Sequence, residues 1–422
     1  MSASNGHANV AIVGGGPAGL AAAAALRRAG AGRVVVLDRE EAPGGIPRHA
    51  HHHGYGLRDL HRSMTGPAYA EQWSSIAADA GAELRTAVQA TGWATADAPA
   101  LELTSPLGRE VLTADAVVLA TGCRERPRSA RLVAGSRPQG VMTTGMLQQL
   151  VYLLREPVGS RAVVVGAEHV SFSAVLTLAH GGARTVAMVT DQPRHQSYAA
   201  FRLGAGLRFG TPVLPRSEIS AIRGRRRVES VEVTDLDTGA RRDIACDLVI
   251  FTADWIPDHE LAVLGGIGLD RGTRGPAVDA ALRTDRPGVF ATGNVLHGAE
   301  TADVAALTGR HVADGVTRWL RAGEWPAARI EVRCDPPLHW ITPNAIVPDD
   351  GAAPARKRFL VRAHAELIDA TIEVRQDGRA LWRGTVPRVM PGRSARLPTS
   401  WTAAVRRDAG PVDVRVLSAR RR

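Results

Sequence analysis

Six residues near the amino terminus, Gly14-Gly15-Gly16-Pro17-Ala18-Gly19, and an acid at Asp38 carry the clearest chemistry in the sequence. Gly14 permits a tight turn, Gly16 leaves the backbone open to a pyrophosphate, and Gly19 lets a helix and a strand pack closely. A helix opening here, with Pro17 and Ala18 in its first turn, presents N–H groups that lack intrahelical partners, and its dipole favours an anion. Asp38, about 20 residues further on, is spaced to accept a hydrogen bond from a ribose hydroxyl. A glycine-rich turn alone is weak evidence, and its bland alternative is a strand–helix turn that binds nothing. Here the turn follows a β-branched run from Val10, precedes an alanine-rich run and has its acid in place. The pattern predicts a dinucleotide cradle.

The second chemical feature is the run Arg48-His49-Ala50-His51-His52-His53. Three readings compete. One histidine could act as a general acid–base, since imidazole titrates near neutral pH. The close spacing could ligate a metal, although no acidic or sulphur partner lies within sequence reach. The loop could also line a site with its histidines hydrogen-bonded to backbone or phosphate. Arg48 suits a carboxylate or other negative charge, and a surface salt bridge is its plain alternative. The catalytic candidates are Arg48, His49 and His53; no metal is expected.

Composition narrows the setting. Cys123, Cys246 and Cys334 lie far apart with no CxxC spacing, against a disulfide scaffold, a zinc site and a dithiol redox pair alike. A reducing cytoplasm is the expected location. The polar start, residues 1–9, lacks a basic-plus-apolar leader pattern, and glycines and a proline break the most apolar window, so no membrane span is expected. The net charge of +10 is almost all arginine, Lys357 being the single lysine. The densest runs, Arg223 to Arg227 and Arg420 to Arg422, have no interleaved aromatics and read as solvated loop and tail, not as a nucleic-acid surface.

Positioning such a cradle requires strands on either side of a helix. Val10 to Asp38 reads as strand, turn, helix, strand. The runs ending at Thr121-Gly122 and Gly293-Asn294 are two further buried strands that stop in glycine turns. At Arg161 the opening pattern recurs: Ala162-Val-Val-Val-Gly166-Ala-Glu168-His-Val-Ser171, a helix, and a strand from Thr185 to Val189. Repetition of a βαβ unit predicts two nucleotide-binding lobes. After Trp325-Pro326 the texture changes to short alternating runs with one hairpin signal, Asp377-Gly378. The expected fold is α/β, with two Rossmann-like dinucleotide-binding domains and a small C-terminal all-β module. The expected boundaries are 1–155 and 256–325 for the first domain, 156–255 for the second and 326–422 for the module.

With these pieces in place the chain resembles the flavoproteins with two dinucleotide-binding domains, the class of glutathione and thioredoxin reductases. The Gly14–Gly19 turn with Asp38, Ala120-Thr121-Gly122 and Phe290-Ala-Thr-Gly293-Asn294 carry the resemblance. It implies FAD in the first lobe, with contacts from Gly14, Gly16, Pro17, Ala18, Gly19, Asp38, Arg39, Gly45, Val88, Thr121, Gly122, Gly293 and Asn294. The family usually has aspartate where this chain has Asn294; the amide can still hydrogen-bond ribityl or pyrophosphate oxygens.

Two departures bear on the reaction. Disulfide reductases of this class follow the glycine pair with two redox cysteines, whereas Gly44-Gly45 here leads into Ile46-Pro47-Arg48-His49, so no dithiol relay is available. In the second lobe Glu168 and Ser171 replace two glycines of the turn that starts at Gly166, and a carboxylate there disfavours a pyrophosphate. Asp191 is placed to meet a ribose, so either Gly166, Glu168, Ser171 and Asp191 hold a dinucleotide in an altered way, with NAD(P)H the candidate, or the second lobe is a structural relic. GGIPRH and Val165-Gly-Ala-Glu-His-Val-Ser are similar to FAD/NAD(P)-binding subunits of opine oxidase, hydrogen cyanide synthase and dye-linked proline dehydrogenase. The expected reaction is hydride transfer through flavin N5 from a small amine, amino-acid-derived or hydroxy substrate, or from NAD(P)H. The resemblance also implies an electron acceptor or catalytic partner subunit, for which the C-terminal module could be the docking surface. A plain NAD(P)H-dependent reductase and a non-catalytic electron-transfer subunit are the alternatives.

Overall fold

The computed structural model describes residues 6–95, 98–197 and 210–421; residues 1–5 of the polar start and Arg422 of the basic tail lie outside it. The chain forms two compact units, one of Met1–Arg48, His53–Cys123 and Pro257–Arg422, the other of His49–His52 and Arg124–Ile256.

The first unit begins with β1 (Gly6–Val13), α1 (Pro17–Arg28) and β2 (Val34–Leu37). β1 lies between β2 and β3 (Gly108–Leu119), parallel to both, with Val10 opposite Val34 and Ala116. Valines and alanines fill these strands because a parallel sheet is buried on both faces, which favours unbroken apolar runs over alternation. The strand Glu83–Arg85 extends the sheet beyond β2, and an antiparallel pair, Ala100–Ser105 and Gln89–Trp93, extends it beyond β3. One core cluster joins this sheet to α1, whose Leu20, Ala21, Ala22, Ala23 and Leu26 are fully buried.

The second unit repeats the plan. β4 (Arg161–Val165) leads into α2 (His169–His180) and β5 (Arg184–Val189), and β6 (Leu248–Phe251) pairs with β4 on its other side. Val141–Thr143 and Val213–Leu214 complete a five-stranded parallel sheet at its two edges. The sheet thus takes a strand from residues that precede 156, because Val141–Thr143 finds its backbone partners on β6. A second, four-stranded sheet carries Ser217–Arg223, Ser230–Asp235 and Arg241–Ala245.

The chain then returns to the first unit. β7 (Val289–Ala291) pairs in parallel with the end of β3, and α3 (Ala302–Ala322) packs along α1. The contact is close: a β-carbon on Gly309 would overlap the Ala18 carbonyl, and one on Gly293 would sit 2.5 Å from the Ala18 β-carbon.

From Ile330 onwards the chain is all β, with its own apolar cluster around Phe359, Ile372, Val374 and Trp401. The strands Leu367–Gln376 and Arg379–Val389 form the hairpin read from the sequence. Asp377 (φ 47°) and Gly378 (φ 79°) make the two-residue turn, both in the left-handed region that Asp-Gly tolerates. This module is buried against the nucleotide lobe through polar groups. Asn344 accepts from the Val278 N–H at 3.2 Å and donates its own backbone N–H to the Val278 carbonyl at 3.0 Å. Arg283, 7% exposed, donates to Asp279 at 2.7 Å and to Asp350 of the module at 2.8 Å.

Arg283 therefore pairs with a fully buried carboxylate, and removing it would leave Asp279 without its ion-pair partner, whereas Asp350 keeps Arg318 at 3.5 Å. Arg283→Met should lower unfolding stability by about 3–5 kcal/mol, read from urea denaturation; a change within error would show that the module does not depend on this pair.

Candidate functional site

The turn between β1 and α1 is held open by contacts that admit no side chain. Gly14 has φ 110°, and a β-carbon on it would overlap the Ala120 carbonyl; one on Gly19 would overlap the Gly14 carbonyl. Gly16 differs, because a β-carbon there would meet nothing nearer than the Gly45 α-carbon at 4.0 Å. Gly16 is the N-cap of α1, Pro17 follows at the first helical position, and no side chain caps the helix or places an acid in its first turn. The N–H groups at this end keep their electropositive character.

Asp38 closes the turn from the end of β2. It is 7% exposed, accepts from the Gly15 N–H at 2.9 Å and from the Glu40 N–H at 2.9 Å, and burial raises its carboxyl above the usual range. Each carboxylate oxygen retains a lone pair for a further donor. The Val88 N–H donates to the Asp38 carbonyl at 2.9 Å, which brings Val88 to the same edge. Arg48, half-buried, lies beside Asp38, and its charge pulls the Asp38 carboxyl down against the effect of burial. Arg39 reaches the other way, to Asp258 at 3.4 Å. Gly44 and Gly45 form the facing wall; the Gly44 N–H donates to the Gly15 carbonyl at 2.7 Å, and a β-carbon on Gly45 would press on Gly16 at 3.0 Å.

The other two glycine turns border the same strand ends. Thr121 donates to the Asp258 carbonyl at 2.6 Å, and the Asp258 N–H donates to the Gly122 carbonyl at 2.9 Å. Beside Gly293, Thr292 keeps a buried hydroxyl with no protein partner. Asn294 turns inward: its amide nitrogen donates to the Glu300 carbonyl at 3.1 Å while its oxygen accepts from the Glu300 N–H at 3.0 Å. Only an amide can donate and accept in this way at once, so asparagine closes a loop here that an aspartate could not.

The histidine run divides. His49 is buried and shares a hydrogen bond with Gln148 at 3.3 Å. His51 stacks on Tyr152 with ring centroids 4.0 Å apart, and Tyr152 bonds His180 at 2.7 Å. These contacts lie within the second unit, whereas His53 is exposed on a short strand of the first, opposite Thr65. Among the described residues no group of three histidines, cysteines or acids is arranged to hold a metal ion.

In the second unit the corresponding helix start is filled by the chain itself. Glu168 is the N-cap of α2; its carboxylate accepts from the Ala167 N–H at 2.9 Å, from the Ser171 hydroxyl at 2.8 Å and from Thr252, and it forms a capping box with Ser171. Gly166 (φ 131°) faces these same groups. Asp191 is exposed beyond the end of β5 and accepts from Gln192 at 3.1 Å. Sequence reasoning missed Glu125, which no motif marks. It is 7% exposed, accepts from the Gly145 N–H at 2.8 Å and has one oxygen without a partner. Burial, with some help from Glu168, pushes its carboxyl up to about 7.

A model of the pyridine nucleotide-disulphide oxidoreductases matches residues 8–309. The chain belongs to that family. Members bind FAD, with NAD(P)H as substrate or cofactor. The sarcosine oxidase alpha subunit of Corynebacterium sp. (strain P-1) is 30% identical over 329 residues, covering 74% of this chain and 30% of that protein, so the chain spans under a third of this relative's length. The ferredoxin–NAD(+) reductase subunit of the benzene 1,2-dioxygenase system of Pseudomonas putida is 27% identical over 299 residues, 68% of this chain and 67% of that one. Thioredoxin reductase from T. acidophilum shares the fold, with a TM-score of 0.62 at 23% identity over 74% of this chain and 98% of that structure. No helix among the described residues is long and apolar enough to cross a membrane.

Because Glu125 is raised in the fold, its protonated form is favoured there. Its contribution to stability is complete below the unfolded value near 4.5 and is lost as pH rises through about 7. Unfolding stability should fall over that window by up to about 3 kcal/mol, and the fall should vanish in Glu125→Gln; an unchanged slope in the variant would count against it.

Proposed function

We propose that this chain is a FAD-dependent oxidoreductase in which the first lobe holds the flavin nucleotide and the second lobe binds no pyrophosphate. The observation that carries the reading is the contrast between the two helix starts. α1 opens on bare N–H groups behind Gly16, whereas α2 opens on its own carboxylate, Glu168. An anion gains from the first and is repelled by the second.

In this reading the α1 N–H groups and Gly16 receive the FAD pyrophosphate, Asp38 receives the adenosine ribose, and Arg48 offsets charge at that same end. Gly45, Thr121, Gly122 and Gly293 form the walls, with the Thr292 hydroxyl a donor awaiting a partner. Asn294 fixes the loop that follows Gly293 and reaches the cofactor through backbone, not side chain. FAD supplies hydride acceptance at its N5 position. His49, held on Gln148, orients its loop, and His53, exposed on its short strand, is the other histidine of the catalytic candidates.

The substrate is a small amine, amino-acid-derived or hydroxy compound, and the electrons leave to an acceptor or a partner subunit. The opine-oxidase-like signature and the likeness to a sarcosine oxidase subunit support that choice. Three cysteines far apart in the sequence, with no pair after Gly45, suit a reducing cytoplasm and supply no adjacent dithiol.

The purified protein should be yellow, and Asp38→Asn should weaken FAD binding about tenfold, the loss of one charge-assisted hydrogen bond. Anaerobic mixing with NADH or NADPH should leave the flavin absorbance unchanged, while one member of a panel of amines, amino acids and hydroxy acids should bleach it. Rapid bleaching by NADH would replace this reading with a nicotinamide-dependent reductase; bleaching only in the presence of a second chain would make this protein an electron-transfer subunit.

A further inference from the structure

The loop that leads from Gly293 into α3 is flanked by two close contacts on the first turn of α1. A β-carbon on Gly293 would sit 2.5 Å from the Ala18 β-carbon, and one on Gly309 of α3 would overlap the Ala18 carbonyl. Residues 294–300 are all that separates Gly293 from Thr301, the N-cap of α3. The shape of this short loop therefore sets how both contacts press on Ala18.

The loop closes on Glu300. Its backbone N–H and carbonyl are both taken by the Asn294 side chain, at 3.0 and 3.1 Å. Its carboxylate is taken by the C-terminal module. There β8 (Leu338–Thr342) runs antiparallel to β9 (Phe359–Ala363), with Trp340 opposite Arg362. The Arg362 guanidinium donates to the Gly298 carbonyl at 2.6 Å, to the Ala299 carbonyl at 2.7 Å and to the Glu300 carboxylate at 3.2 Å. Its Nε donates to Ser394 at 3.1 Å, and the Ser394 hydroxyl donates to the same Glu300 oxygen. Trp340 lies under the guanidinium at 5.0 Å and stacks on His297 at 4.8 Å, so the strand pair grips a further loop residue. A planar guanidinium donates in fixed directions, which holds residues 298–300 in one geometry. Arg362 is 6% exposed, so these donors act inside the chain and not on an outside partner.

We propose that Arg362 and Ser394 are positioning residues of the flavin site, and that seating of the C-terminal module and binding of the nucleotide are thermodynamically linked. The proposal rests on the reading that the first turn of α1 receives the FAD pyrophosphate. Through Glu300, Asn294 and Gly293 the module holds the loop that presses on that turn. Such linkage is reciprocal: the factor by which the seated module tightens FAD is the factor by which FAD tightens the seating. A merely structural role would lower stability and leave affinity as it is.

The test uses the full chain, stripped of nucleotide and titrated with FAD, with binding read from flavin fluorescence. Arg362→Lys keeps the charge and loses the fork; it should raise the FAD dissociation constant about tenfold, the loss of one charge-assisted hydrogen bond. Ser394→Ala should raise it in the same direction. In an Asn294→Ala background Arg362→Lys should add less than about threefold, because both act through Glu300. Ile372→Val, in the apolar core of the module, should lower the melting temperature and leave FAD affinity unchanged. FAD should also slow hydrogen exchange at residues 361–363 in the wild type, and less so in Ser394→Ala. Wild-type affinity in both Arg362→Lys and Ser394→Ala, or equal weakening by Ile372→Val, would overturn the linkage. Should Arg362→Lys fail to fold, Ser394→Ala and the exchange measurement still decide. A wild type that takes up FAD no better than its variants overturns this proposal alone; a wild type that takes up none overturns the flavin reading and this proposal with it.

Discussion

The first unit depends on a place where backbone meets backbone with no room for a β-carbon. At Gly14 and Gly19 the turn after β1 touches the end of β3 and closes on itself, and at Gly293 and Gly309 the returning chain presses on Ala18. Close packing of this order is not adjustable, since an added methyl group must displace main chain instead of a mobile side chain. The same contacts fix the direction of α1, and with it the direction of the unpaired N–H groups. Geometry that packs the lobe also aims its electrostatics.

Two helices of similar length start from similar turns and end up with opposite character. α1 begins on glycine and proline, and among the described residues no side chain caps its first N–H groups. α2 begins on Glu168, whose carboxylate gathers Ala167, Ser171 and Thr252 about itself. One charged side chain in the middle-glycine position gives this helix start a self-satisfied cap. The second lobe keeps its architecture because the fold depends on the βαβ pattern, not on the glycine that a ligand would need.

The C-terminal module is less separate than its texture suggests. Arg362, 6% exposed, donates to the carbonyls of Gly298 and Ala299 at 2.6 and 2.7 Å and to Glu300 at 3.2 Å, with its guanidinium over Trp340. Trp340 in turn stacks on His297, a buried imidazole pushed down to about 4 and therefore neutral near pH 7. Glu300 is the residue that Asn294 clasps. A module with an apolar core of its own thus braces the loop that follows Gly293, and the buried Arg362 does so from inside the protein.

Local chemistry was legible in the residues themselves. The strands around Val10 and Val117, the glycine turns, the repeat at Gly166, the lack of a cysteine pair and the Asp-Gly hairpin all rest on short-range rules of dihedral freedom and apolar periodicity. Those rules do not reach across hundreds of residues. That Glu168 would spend its carboxylate on Thr252, that Asn294 would clasp Glu300, that His49 would bond Gln148 and that Glu125 would be buried beside Gly145 were decided by which distant groups the packed chain brings within hydrogen-bond range. The sequence determined the glycine turn, the helix it opens and the acid at Asp38; only the tertiary structure decided which charges stand around them, because a charge acts through space and not along the chain.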